Sequence, residues 1–214
     1  MTTVFSKRLL QDDRERVVAR VVVTASGTVS TVKNEPQVFH WRLYLVLAPD
    51  ARLRPTSSQS VLFDMTPSLP PTGTFIIASK VEALSEARRK IELPLFTTGQ
   101  PTVARLIHLF LEKGMDRYKF DSTGSGCYYW TMTGVQRLEE AGLIMPGSLK
   151  LLLDFHKEQA QLHPERHPLP VRRGEFYWYV DVLRSCLAYN MLISEYRARI
   201  TQEDFGSGVI AVWQ

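Results

Sequence analysis

Apolar and polar positions alternate along residues 38–48 (VFHWRLYLVLA). As a strand, this segment puts Phe39, Trp41, Leu43 and Leu45 on one face and His40, Arg42 and Tyr44 on the other. The β-branched run at 16–23 (RVVARVVV) predicts a strand before it. Residues 24–36 between the two are polar and turn-rich and predict a loop. After a polar connection at 49–59, residues 60–66 (SVLFDMT) predict a strand ended by Pro67 and the Pro70-Pro71 pair. Residues 73–82 (GTFIIASKVE) predict the next strand. The segments 38–48, 60–66 and 73–82 follow one another closely enough for an antiparallel meander.

The period then changes. Val103, Leu106, Ile107, Phe110 and Leu111 recur at helical spacing, Pro101-Thr102 opens the segment and Gly114 closes it, predicting a helix over 101–113. A polar stretch, 115–126, leads into a glycine-flanked turn. Helices are predicted at 127–141, ended by Gly142, and at 147–162. A proline-rich stretch, 163–172, precedes a helical segment at 176–199 with Phe176, Val180, Leu183, Leu187 and Met191 on one stripe. The pattern implies an α+β fold, a small antiparallel sheet packed on helices. It divides the chain into a flexible N-terminal tail (1–15), a core (16–145) and a helical C-terminal extension packed on that core (146–214).

Composition narrows the setting. The 214 residues are 44% apolar and 22% charged, ordinary for a globular protein with one sizeable core. The net charge of +4 is dispersed: Lys7/Arg8, Arg88/Arg89/Lys90 and Arg172/Arg173 stand among acids, so no nucleic-acid footprint is expected. Cys127 and Cys186 are far apart and suggest neither a disulfide framework nor a metal cluster, which fits a reducing, cytoplasmic setting. No signal-like segment or membrane-length apolar run is present, so no stable membrane anchor is expected. Metal-ligand and phosphate-cradling motifs are absent, so no cofactor and no metal is expected. A homodimer is left open.

Candidate chemistry centres on Cys127, in T-G-S-G-C-Y-Y-W, where a glycine-rich turn enters a helix. The first helical turn exposes unpaired N–H groups and the positive end of the dipole. Both favour a thiolate, and the same N–H groups can hold a developing oxyanion. Gly124 and Gly126 would let a substrate approach. His40, mid-strand among apolar neighbours, is the candidate base, and Asp64, alone in V-L-F-D-M, is the candidate group to orient it. Each residue has a plainer reading as well: an inert buried thiol, a structural histidine, an aspartate paired with Arg42. Arg42 is read equally as a carboxylate ligand or as a solvated strand residue. Tyr44, Tyr128, Tyr129 and Trp130 are read as pocket walls or as core.

The order of these motifs carries a resemblance. H-W-R-L-Y-L at 40–45, L-F-D-M-T-P-S at 62–68, Y-K-F at 118–120 and C-Y-Y-W at 127–130 resemble the circularly permuted papain-like fold. That branch holds the lecithin:retinol acyltransferase-like enzymes and is related to the NlpC-type peptidases. The resemblance implies His40 as base, Cys127 as nucleophile and Asp64 at the third polar position, where those acyltransferases usually carry a second histidine. They also carry Asn where Gly126 stands. The stretch 38–144 also resembles an uncharacterised group of fungal proteins that share His-Trp-Arg, Asp-Met-Thr-Pro-Ser and Gly-x-Gly-Cys-x-x-Trp. Such proteins often accompany secondary-metabolite pathways.

These features imply a cysteine-dependent acyl-transfer enzyme for a small hydrophobic molecule: an amidase, thioesterase, acyltransferase, or amide- or lactone-forming cyclase. Two other readings stay open. One is an enzyme of the same fold that uses His40 and Asp64 for acid–base chemistry without a covalent intermediate. The other is a binding protein without catalysis.

Overall fold

The computed structural model describes residues 3–27, 38–49, 57–69, 71–87 and 90–177. The chain divides into two units, Met1–Phe176 and Tyr177–Gln214. The helical stripe read at 180–191 lies outside the described residues, as does Cys186. Residues 146–176, read as the start of an extension packed on the core, belong to the same unit as the sheet.

The first unit is α+β. Its elements are β1 (Val4–Arg8), a 3-10 turn (Gln11–Glu15), β2 (Val18–Gly27), β3 (Phe39–Leu47), β4 (Ser60–Leu69), β5 (Thr72–Lys80) and β6 (Lys90–Phe96). There follow α1 (Val103–Glu112), β7 (Tyr118–Lys119), α2 (Cys127–Glu140), α3 (Ser148–Leu162) and β8 (Glu175–Phe176). The strands lie in the order β6-β2-β3-β4-β5-β7-β8, and β1 joins β5 in parallel. The expected meander is β3-β4-β5. The sheet is larger than expected because two segments read as tail or loop, and one given no element, are strands. Residues 4–8, taken as part of a loose tail, pair with Phe75–Ala78. Residues 24–27, read as loop, continue β2 opposite β3. Residues 90–96 pair with β2 on its outer side, and Pro94 is tolerated there because β6 is an edge strand.

Alternation sorts the two sheet faces. On the helix-covered face, Val21, Val23, Phe39, Trp41, Leu43, Leu45, Phe63, Met65, Phe75 and Ile77 are buried in one cluster with the helices. The opposite face carries a smaller cluster of Val22, Tyr44, Val46 and Leu62. Helix α1 begins at Thr102, whose hydroxyl accepts from the Arg105 N–H, and the chain leaves it at Gly114 with φ 67°. Helix α2 packs on β3, α1 and α3. No helix among the described residues is long and apolar enough to cross a membrane.

Trp130 anchors α2. Its ring is wholly buried against Phe75 and Phe110, and its indole N–H donates to the Met115 carbonyl at 2.7 Å. Replacing Trp130 with Ala should therefore cost about 3–5 kcal/mol, read as a lower denaturation midpoint in urea with an unchanged slope.

Candidate active site

Strands β3 and β4 pair from Val46↔Ser60 to Leu43↔Phe63 and then part. Strand β4 continues along β5 as far as Leu69, while β3 continues along β2 to Phe39. The parting opens a wedge. The next cross-strand pair would be Arg42 and Asp64, and these are linked by side chains instead: the Arg42 Nε–H donates to Asp64 Oδ2 at 3.0 Å. Arg42 also donates to the Ser26 hydroxyl at 2.9 Å. Two residues further along β3, His40 Nε2 lies 2.6 Å from Asp64 Oδ1. Both Asp64 oxygens are thus occupied.

The α2 N-terminus fills the wedge. The Cys127 sulfur hydrogen-bonds His40 and receives the Trp41 backbone N–H. It lies 3.9 Å from the Phe39 carbonyl oxygen. Nε2 of His40 is committed to Asp64, so Nδ1 is the nitrogen left for the sulfur. Asp64, His40 and Cys127 therefore form one line across the gap.

Electrostatics follow from that line. Burial alone would lower the His40 pKa, but the negative sulfur and the Asp64 carboxylate outweigh it and raise the pKa to about 9. Burial alone would raise Cys127, but the His40 charge and hydrogen bond, with the Trp41 N–H, bring it below its ordinary value. Asp64 is likewise held below the usual carboxylate range: its burial is outweighed by the His40 hydrogen bond and charge and by Arg42. Both shifts run in the sense that favours thiolate and imidazolium over thiol and neutral imidazole.

The turn before Cys127 is built to hold the sulfur in place. Asp121 Oδ1 accepts from the Thr123 N–H at 2.9 Å and the Ser125 N–H at 2.8 Å, closing a compact loop. Gly126 has φ 132° and ψ −3°. A Cβ there would lie 2.6 Å from Tyr118 Oη and 3.0 Å from the Gly174 nitrogen. Those two groups form a relay: the Gly174 N–H donates to Tyr118 Oη at 2.9 Å, and that hydroxyl donates to the Gly126 carbonyl at 2.8 Å. Glycine is therefore required at 126 by both space and backbone angle.

A cleft of about 200 Å³ opens at the sulfur. His40, Trp41, Gly124, Gly126, Cys127 and Tyr128 line it, together with Phe39. Of the residues read as pocket walls, Tyr128 lies there. Tyr44 does not; it packs with Val22, Val46 and Leu62 beyond the point where β3 and β4 part. Tyr129 packs on Phe176 beneath Arg173, and Trp130 is core. Arg42 is engaged by Asp64 and Ser26, so it orients the aspartate and is not available as a carboxylate ligand.

Sequence reasoning missed the far wall. His156 of α3 and His167 of the proline-rich stretch both line the cleft and are buried. The Phe39 N–H donates to the Arg166 carbonyl at 3.1 Å, which docks this stretch onto the open edge of β3. The available signal was His163-Pro-Glu-Arg-His167-Pro, a polar run too short to read as a site but held close to the core. Among the described residues, no group of three or more acids, histidines or cysteines is arranged to hold a metal ion.

The fold and site thus define an α+β protein with a cysteine, a histidine and an aspartate aligned where a helix meets a split sheet. Residues 19–177 match the family described as a domain of unknown function (DUF7770), and the chain belongs to that family. No curated protein and no solved structure matches the chain significantly.

Burial lowers the pKa of both His156 and His167 to about 4. Unfolded histidine titrates near 6.5, so the unfolded chain binds more protons between those values. The contribution of these two histidines is intact above about pH 6.5 and falls as the pH drops toward 4, by roughly 3 kcal/mol per histidine at about 1.4 kcal/mol per pKa unit. Urea midpoints measured from pH 7 to 4 should show this loss. Replacing both histidines with Phe should flatten it.

Proposed function

We propose that the protein is a cysteine-dependent acyl-transfer enzyme acting on a small hydrophobic molecule, built on a permuted papain-like core. The observation that carries this reading is the line Asp64–His40–Cys127 at the N-terminus of α2. The order of parts, a histidine strand before a cysteine helix, is that of the permuted branch.

In the first half-reaction the Cys127 thiolate attacks a carbonyl carbon. The oxygen takes up the negative charge beside the first-turn N–H groups of α2, which have no partner within the helix. The His40 imidazolium gives its proton to the leaving nitrogen, oxygen or sulfur, and a thioester remains on Cys127. In the second, neutral His40 takes a proton from water, an alcohol or an amine, which attacks the thioester and releases the thiolate. Asp64, fixed by Arg42, holds the imidazole in the orientation that serves both steps. Acylating enzymes of this kind comprise amidases, thioesterases, acyltransferases and amide- or lactone-forming cyclases. The cleft size and its aromatic wall support a small hydrophobic substrate. The likeness to fungal proteins found beside secondary-metabolite pathways supports a role of that kind.

Alkylation with iodoacetamide, followed by peptide mapping, tests this directly. A free thiol with a pKa of about 8.5 loses roughly fiftyfold in rate from pH 8.5 to 6.5. Cys127 should lose far less, because the His40 imidazolium persists up to about pH 9 and holds the thiol below its ordinary value. A profile for Cys127 that follows an ordinary thiol would sink the proposal. Asp64→Asn removes the carboxylate that stabilises the imidazolium, so the pair shifts toward thiol and neutral imidazole. Labelling at pH 6.5 should then drop about tenfold relative to the unsubstituted protein. Full turnover by Cys127→Ala on an identified substrate would instead favour acid–base chemistry by His40 and Asp64.

A further inference from the structure

The wall of the cleft beyond the sulfur is a set of touching rings. Trp41 stands 4.8 Å from Tyr128, 5.6 Å from His156 and 5.6 Å from His167, measured between ring centroids. Tyr128 and His156 stack at 3.8 Å with 17° between their planes. All four residues line the cleft. Each member of the proposed catalytic pair has one of these rings as its chain neighbour, since Trp41 follows His40 and Tyr128 follows Cys127.

This wall is apolar in shape but not in chemistry. The Tyr128 hydroxyl and both ring nitrogens of His167 are buried with no hydrogen-bond partner. Native interiors rarely leave such groups unpaired, and these three belong to two residues that line one cleft. Both imidazoles are neutral at pH 7, so each brings one donor and one acceptor to the wall. Charge adds a second constraint. Among the described residues, no carboxylate lines the cleft, while Arg166 and Arg172 do. A cationic ligand is therefore disfavoured. Size adds a third. A cavity of about 150 Å³ is enough for benzene, so about 200 Å³ suits one ring with a short substituent.

We propose that Trp41, Tyr128, His156 and His167 form the acyl-group subsite, selective for a single aromatic ring that carries a hydroxyl or carbonyl oxygen. The ring lies against Trp41 and Tyr128. Its oxygen meets His167 and the Tyr128 hydroxyl, with the His167 imidazole turning about its Cβ–Cγ bond to present a nitrogen. The term acyl rests on the reading of Cys127 as nucleophile; the binding of the ring does not need the thiol.

The test uses Cys127→Ala protein and titration calorimetry with four neutral esters: methyl 4-hydroxybenzoate, methyl benzoate, methyl cyclohexanecarboxylate and methyl 6-hydroxy-2-naphthoate. Methyl 4-hydroxybenzoate should bind roughly tenfold more tightly than methyl benzoate, and the saturated ring and the naphthoate more weakly than either. Tyr128→Phe deletes one oxygen from an otherwise unchanged ring, and His167→Phe keeps a ring in place. Each should reduce the preference for the hydroxyl to about twofold or less while methyl benzoate still binds. Equal affinity for all four esters would overturn the proposal. So would a hydroxyl preference that survives both variants, since the unpaired atoms would then serve only a buried water. The two proposals fail separately. An ordinary alkylation profile for Cys127 with the ring preference intact removes acyl transfer and leaves the subsite. A perturbed profile without ring preference removes the subsite alone.

Discussion

Once β4 turns away from β3 beyond the Leu43↔Phe63 pair, the exposed edge of β3 must find other partners. Leu47, whose N–H donates to the Gln59 carbonyl, shows that odd-numbered residues of β3 direct their backbone groups toward β4. At Trp41 and Phe39 no strand is there to meet them. The Trp41 N–H is taken by the Cys127 sulfur and the Phe39 N–H by the Arg166 carbonyl. A buried backbone donor left unpaired is costly. The open edge therefore recruits both halves of the site, the head of α2 and the stretch after α3. Site and fold are satisfied by the same contacts.

The polar line grows out of the same split. His40, Arg42 and Asp64 sit on the sheet face opposite the main core, yet all three are largely sheltered from solvent. A carboxylate so placed needs both oxygens paired, and it has them, one on His40 and one on Arg42. The positive partner at His40 then finds a second negative partner in the sulfur. Charge is passed along the line by successive neutralisation, so removing any one member leaves another exposed in a poorly solvating place. That coupling is why the Asp64 carboxylate reaches the sulfur without touching it.

Most of the regular structure was legible because its signals are local. The three described helices were bounded within a residue or two: the Thr102 hydroxyl caps α1, and Gly114, Gly126, Gly142 and Gly147 at helix ends take positive φ. Strands β3, β4 and β5 show their alternation openly. The strands that escaped lack it: Val4–Arg8 is polar at its C-terminal end, and Lys90–Phe96 is interrupted by Pro94. Both lie at margins of the sheet, where little core is buried and pattern is weak. At the site, Cys127, His40 and Asp64 could be named from position, since each sits where its element puts chemistry. The aromatic residues could not be sorted. Tyr128 and Trp130 are two apart in one helix, and only packing decides that one walls the cleft while the other fills the core.

The histidines show the limit from the other side. His156 and His167 are 11 positions apart, one on a helix and one in a proline-rich connection, and nothing in the sequence pairs them. They meet because the connection is pinned at Arg166 to the open edge of β3. The Pro-rich composition of 163–172 suits it to act as a wall, because proline limits the backbone freedom lost on docking. The Gly174 N–H that follows bonds Tyr118 Oη, which in turn holds Gly126 beside the sulfur. The stretch after α3 thus touches the turn before Cys127 at one end and the strand that carries His40 at the other. A change in this segment should act on the cleft as a whole, altering substrate fit and sulfur position together, even though none of its residues belongs to the Asp64–His40–Cys127 line.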